Sequence, residues 1–202
     1  MMHQTYDIAL KDIIKDVPQR FLRLLIGYEA GNFIDVQFPD VAVRYVDIAF
    51  ETASGGNIVQ IEMQSTNDNN MLGSMFLYAG FIYNQHRKLP VQIVLYIGNK
   101  PLNMESSMES GLIRYAYQLI DIRTIDGNQL IDSDNPDDNV LAILCKIDDV
   151  GATIKKILDK LYQLSPRERE NYIRKLLYLS GLRNLTSKVR SVRSLQSLGR
   201  RY

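Results

Sequence analysis

The order of patterns along this 202-residue chain predicts an α/β or α+β core followed by a helical extension. Three observations carry that prediction. VDIAF at 46–50 and IVQIEMQ at 58–64 flank TASGGN, which is the pattern of two strands joined by a turn. VQIVLYI at 91–97 is a continuous apolar run, as in a central strand covered on both faces. From Asn135 onward, apolar residues recur at helical spacing.

The elements follow in order. Residues 6–16 set Ile8, Ala9, Ile13 and Ile14 at helical spacing. Pro18 suits the first turn of a second helix, with Phe21, Leu24 and Leu25 as its buried stripe and Gly27 as its end. A short strand is expected over 33–38, then the hairpin over 43–51 and 58–64. Gly55, Gly56 and Asn57 supply the positive φ a reversal needs. NDNN at 67–70 reads as a loop and helix start, with Asp68 or Asn69 as cap. That helix runs to about Lys88; Leu72, Met75, Phe76, Ala79, Ile82 and Tyr83 make it apolar on more than one side, which predicts burial. Residues 99–110 predict a polar loop, and 112–125 a further strand closed by a turn at Asp126-Gly127. Asn135-Pro136 opens a helix through Leu144. Residues 151–164 form another, with Ile154, Ile157, Leu158 and Leu161 on one face. Ser165-Pro166-Arg167-Glu168 is a capping box for a helix ending near Gly181. The predicted organisation is a core over 1–132, a helical extension over 133–182 and a basic tail over 183–202.

A chain 46% hydrophobic and 23% charged has the composition of a globular domain, not of a disordered one. No run approaches the roughly 18 apolar residues of a membrane span. The opening MMHQTYDIALKD lacks a signal-peptide pattern. A single cysteine, Cys145, excludes a disulfide framework or a cysteine zinc site, so cytoplasmic residence is expected. The net charge of +1 conceals an asymmetry: residues 1–150 hold 11 Lys/Arg and 20 Asp/Glu, and residues 151–202 hold 13 and 3. Arg183, Lys188, Arg190, Arg193, Arg200 and Arg201 run to the C-terminus without an acid. Such an end suits a nucleic-acid backbone, with Lys188, Arg190 and Arg193 as candidate contacts. It equally suits a solvated, frayed tail.

The chemistry concentrates in the hairpin. Alternation puts Gln60, Glu62 and Gln64 on one strand face, where Asp47 from the first strand meets them. Two carboxylates beside an amide suit a hard divalent cation such as Mg²⁺, with Mn²⁺ as a substitute. Asp47 and Glu62 are the candidate ligands, the Met63 carbonyl offers a third oxygen, and Gln64 is placed to orient water or a phosphate without carrying charge. The competing reading makes the stripe ordinary strand surface. An acid among Val46, Ile48, Ala49 and Phe50, however, needs a partner or a metal. His86 reads as a structural polar group, and with only His3 beside it a histidine-rich metal site is excluded. Cys145 reads as core. Met71, Met75 and Met104 read as packing; Tyr78, Tyr83 and Tyr96 suit base stacking or, more simply, the core. No glycine-rich phosphate loop, GxSxG or HExxH is present.

The ordered set VDIAF, turn, IVQIEMQSTNDNNM, helix, LPVQIVLYIGNKPL resembles the PD-(D/E)XK nuclease superfamily. Within it the chain is most similar to the bacterial branch of transposase-like proteins and recombination-promoting nucleases. The opening YDIALKDII, the Arg44-Tyr45-Val46-Asp47 strand, and the later LIDIRTIDG, DNVLAIL and LSGLRNL segments fit as well, so the resemblance covers about residues 5–186. It implies a restriction-endonuclease-like core: a mixed sheet of about four strands flanked by helices. It implies Mg²⁺-dependent cleavage of DNA, with Asp47 and Glu62 as ligands and Gln64 in the slot usually held by lysine. An acid of the first helical region, Asp7 or else Glu29, would complete the site. The expected partner is DNA, with a homodimer as one assembly. Three departures stand out: Gln64 itself, Ser74 where the branch usually carries arginine, and a short basic C-terminal region. They motivate an alternative, a non-catalytic nucleic-acid-binding or interaction module on the same fold. A weaker alternative is a structural protein whose polar stripe faces a partner subunit.

Overall fold

The structure is a computed structural model that describes residues 10–16, 18–34, 36–38 and 44–199. The chain divides into two compact units, residues 25–121 and residues 1–24 with 122–202. The first helices thus group with the C-terminal helices, where the sequence reading places them in the sheet-bearing core. Among the described residues no helix is long and apolar enough to cross a membrane.

The unit of residues 25–121 is built on a five-stranded mixed sheet. β1 (Ala30–Ile34), β4 (Ile48–Thr52) and β5 (Ile58–Gln64) form an antiparallel meander, and β6 (Val91–Tyr96) and β9 (Gln118–Asp121) extend it in parallel. Their order is β1-β4-β5-β6-β9. One more strand is present than the four expected, because 30–34 joins the hairpin edge. The short pair β2 (Gln37–Phe38) and β3 (Arg44–Tyr45) leads into β4. The 52–57 turn closes with Thr52 donating to the Asn57 carbonyl at 2.9 Å and Gly55 at φ +70°. α3 (Met71–His86) crosses from β5 to β6 and covers one sheet face. Met71 and Met75 pack with Val94, Tyr96, Met104 and Tyr117, and Ile82 packs with Ala49 and Ile58. The α3 cap differs from expectation: Asn70 is the N-cap residue without a side-chain bond, and the Asp68 carboxylate instead accepts from Asn70 N at 2.8 Å.

The sequence between β6 and β9 departs from the reading. The expected polar loop ends in β7 (Ser107–Ser110), which pairs with β8 (Ile113–Ala116) as a separate hairpin. The expected single strand over 112–125 breaks at Tyr117, whose side chain turns into the core. Beyond β9, Asp126 caps α4 (Gly127–Ile131), accepting from Asn128 N at 3.0 Å, instead of forming a strand turn.

The other unit is helical: α1 (described over 10–15), α2 (Gln19–Ile26, whose last residues pass into the sheet unit), α4, α5 (Pro136–Leu141), α6 (Val150–Leu161), α7 (Pro166–Gly181) and α8 (Thr186–Gly199). Apolar spacing is used as predicted, with Ile154, Ile157, Leu158 and Leu161 all buried. The capping box at Ser165 opens α7, but its side chains bond each other, Ser165 Oγ to Glu168 Oε2 at 2.5 Å. Buried Asp138 accepts from Phe21 N in the first turn of α2 at 3.0 Å and from Ser133 Oγ at 2.7 Å. It therefore satisfies one of the N–H groups that the first turn of α2 leaves without an intrahelical partner. The stretch expected as a tail is α8, seated through fully buried Val189.

Asp138→Ala strands two buried donors and should lower unfolding stability by about 3 kcal/mol, read by urea denaturation. The Asp149 carboxyl, which caps α6, is held below its usual range by the backbone N–H groups of Ala152 and Gly151, with the charge of Lys188 adding to them. A lowered folded value means the contribution is complete above the ordinary aspartate range, about pH 4, and is lost as acid titrates through the folded value. Asp149→Asn should therefore flatten the acid limb of the stability profile measured by circular dichroism.

Candidate metal centre

The register of β4 on β5 pairs Ile48 with Ile61. One residue back, Asp47 lies opposite Glu62, and directly opposed residues share a face. β4 begins only at Ile48, whereas β5 continues past the residue that pairs with it to Gln64. Side chains complete the missing rung. Asp47 Oδ2 accepts from Met63 N at 3.0 Å, and Glu62 Oε2 accepts from Asp47 N at 3.3 Å. The two carboxylates are thereby brought together, Glu62 at 8% exposure and Asp47 half-buried.

Backbone direction adds Met63. Ile97 N donates to the Gln64 carbonyl at 2.8 Å, so Gln64 bonds toward β6. Alternate residues of a strand bond to opposite sides, which turns the Met63 carbonyl toward the β4 edge, where Asp47 sits. The donor set of two carboxylates and a carbonyl is hard oxygen throughout and fits Mg²⁺ or Mn²⁺. Among the described residues there is no group of three or more His, Cys, Asp or Glu side chains placed to hold a metal ion.

Along the same face, exposure falls from the open end inward. Gln64 is half-buried, Glu62 nearly buried, and Gln60 wholly buried. The stripe is therefore not ordinary surface, because α3 covers it. Gln92 Nε2 donates to Gln60 Oε1 and to the Met75 carbonyl, both at 2.7 Å, and Tyr115 OH donates to Gln92 Oε1 at 2.6 Å. Gln60 and Gln92 are thus spent on holding α3 to the sheet. Two residues that set the open end, Asn67 and Gly98, fall outside the sequence reading, and Tyr96 appears in it only as a stacking or core residue. The Gly-Asn step directly after an apolar strand was the available signal.

The remaining candidates separate. Asp7 and His3 lie outside the described residues, as do Arg200 and Arg201. Glu29 is at the wrong end of the hairpin: its carbonyl accepts from Ala53 N at 3.3 Å, the length of β4 away from Asp47. Ser74 is half-buried on α3. Met71, Met75, Met104 and Tyr96 are core; Tyr78 is partly buried against it, and Tyr83 is 47% exposed. Tyr83 lines an apolar groove of about 990 Å³ with Phe76, Leu77, Leu89 and Tyr115, which contains none of the site residues.

The basic residues of α8 do not form one face. Lys188 and Arg190, two residues apart, point roughly 200° apart around a helix. Both are exposed, and Lys188 lies near Asp149. Arg193 pairs with Glu170 at 3.1 Å, and Arg183 donates to the Leu144 carbonyl at 3.1 Å. Comparison with protein-family models, with curated proteins and with solved structures returned no match.

Cys145 is buried, and burial pushes its thiol up to about 12, against the pull of Arg183. The reactive thiolate is scarce at neutral pH. Iodoacetamide should label Cys145 roughly 100-fold more slowly in the folded chain than in urea, followed by mass spectrometry.

Proposed function

We propose that the chain is a metal-dependent DNA endonuclease of the transposase-like, recombination-promoting type, on a restriction-endonuclease-like core. The carrying observation is the reciprocal pairing of Asp47 and Glu62 at the end of β4, beside the Met63 backbone. The antiparallel meander followed by a parallel strand, with α3 between, supports the core assignment. Asp47 and Glu62 would hold Mg²⁺, with the Met63 carbonyl as a third protein oxygen. When bound, the ion supplies an acidified water and charge stabilisation on the phosphoryl oxygens. Gln64 is positioned on the same face to orient water or the scissile phosphate through its amide. Glu62 is held by its own hydrogen bond, which limits the rotamers it must lose on binding. Exposed Lys188 and Arg190 offer secondary contacts to the DNA backbone from α8; the pairing of Arg193 with Glu170 reduces its share.

Gln64 favours one alternative, a DNA-binding module without cleavage, because an amide cannot supply the charge of a lysine. Supercoiled plasmid incubated with Mg²⁺ or Mn²⁺ separates the two. The nuclease nicks it, and Asp47→Ala or Glu62→Ala loses at least about 100-fold in rate. A silent module binds the plasmid without nicking it, and Gln64→Lys leaves it silent. Equal nicking by Asp47→Ala and the parent chain assigns the activity elsewhere and overturns the proposal.

A further inference from the structure

The outer face of α3 is unlike that of an ordinary surface helix. Residues 71–86 include no Asp, Glu, Lys or Arg. Met71, Met75, Ala79 and Ile82 are buried against the sheet. Gly73, Phe76, Leu77, Gly80, Tyr83 and Asn84 recur at helical spacing on the other side, and all are exposed. Leu89 and Tyr115 complete the groove of about 990 Å³ that this stripe lines. Ile113 continues it, on the same β8 face as Tyr115, whose ring meets Phe76 edge-on at 5.1 Å. Phe76, Leu77, Tyr83, Leu89 and Ile113 are between 40% and 71% exposed. At about 200 Å² for a large apolar side chain, they present on the order of 500 Å² of apolar surface. That is more than half of the roughly 800 Å² that each partner gives to a stable interface.

Both glycines of the stripe lack an internal cause. A Cβ at Gly73 or Gly80 would meet nothing within 4 Å, and alanine is the better helix former at such a position. Glycine there serves a surface that comes close to the helix backbone. Charge is set at the two ends of α3. Asp68 and exposed Glu105 lie by its first turn, Glu105 sharing a hollow with Asn70 and Gly73. Arg87 and Lys88 follow its last turn, both exposed, and Lys88 reaches Glu51 at 4.0 Å. Nucleic acid or anionic lipid needs cations along the face. The one that lines the groove, Arg114, pairs with Glu109 at 2.8 Å. A second α3 running antiparallel matches the pattern end to end, acid to base, with the uncharged lengths in contact.

We infer that this face is a homodimer interface, in which α3 packs antiparallel on the α3 of a second copy. The two-fold axis passes the helix midpoint, between Tyr78 and Ala79, and makes the patch its own complement. Leu77 of one copy then lies over Gly80 of the other, Asn84 over Gly73, and Arg87 reaches the acidic end. The larger side chains fill the spaces that the glycines leave. The inference stands apart from the nuclease reading.

Sedimentation equilibrium of the full chain, up to about 100 µM, tests it. The parent should have the mass of a dimer. Leu77→Glu, at a position exposed in the monomer, sets two carboxylates at the axis and should weaken association about 100-fold. Gly80→Leu improves the helix, so loss of fold does not explain its effect, and should weaken association about 10-fold. Circular dichroism should show at least the parental helix content in both. Arg87→Glu should weaken the dimer, and Arg87→Glu with Glu105→Arg should recover it; no recovery overturns the antiparallel order. A parent that sediments as a monomer throughout, whether or not plasmid or lipid vesicles occupy this face instead, overturns the inference. So does a dimer that Leu77→Glu and Gly80→Leu leave intact, since it uses another surface.

Discussion

β5 outlasts β4 by several residues, and the backbone donors it exposes there must be answered by something other than a strand. The Asp47 carboxylate answers Met63 N, and the Glu62 carboxylate answers the backbone of Asp47 in return. Hydrogen bonds to a charged group contribute about 1.5–3 kcal/mol each, enough to fix the end of a hairpin. The cost is two negative charges held side by side, which a divalent cation would offset. Fold and candidate chemistry thus draw on the same pair of side chains.

The polar face of β5 shows how depth assigns roles to similar residues. Gln60 and Gln92 are enclosed under α3, so their amides must bond each other, the Met75 carbonyl and Tyr115. A buried amide left unpaired is costly, which makes this network part of how α3 finds its place. Two residues farther along, Glu62 retains a margin of exposure, and Gln64 more. The loops after β5 and β6 are clasped together by Asn67 and Tyr96. The open end is therefore a rigid edge, with its donors and charges set in advance.

Elements with a strong local period were legible. The 58–64 strand, the 91–97 run, α3, and the helices at 136, 150 and 166 fall where apolar spacing, Pro and capping residues put them. Legibility failed where the signal was weak or shared. β7 is polar and exposed, so alternation could not mark it. The 112–125 run has apolar residues from end to end with no Gly or Pro to mark a boundary, and the break falls at Tyr117, whose side chain joins the core cluster of Met71 and Met75. α8 carries its anchor on one valine amid basic and polar residues, which resembles a solvated tail when read alone. The capping residues at 68–70 and 165–168 were recognised by type, yet bond in a different pattern, since several arrangements of the same groups have similar energy.

By itself the sequence determined that Glu62 shares a strand face with Gln60 and Gln64, because side-chain alternation is a property of one strand, and that Asp47 belongs to the other arm of the hairpin. It also determined that position 64 carries an uncharged amide and that basic residues gather toward the C-terminal third. Only the tertiary structure decided that the two acids meet, because register and the late start of β4 depend on pairing between segments distant in the chain. It alone decided that α3 buries Gln60, that Glu29 stands at the other end of the hairpin, and that Asn67 and Tyr96 pin the loop after β6. Each of these is set by which surfaces pack together, and packing joins residues that no local pattern connects.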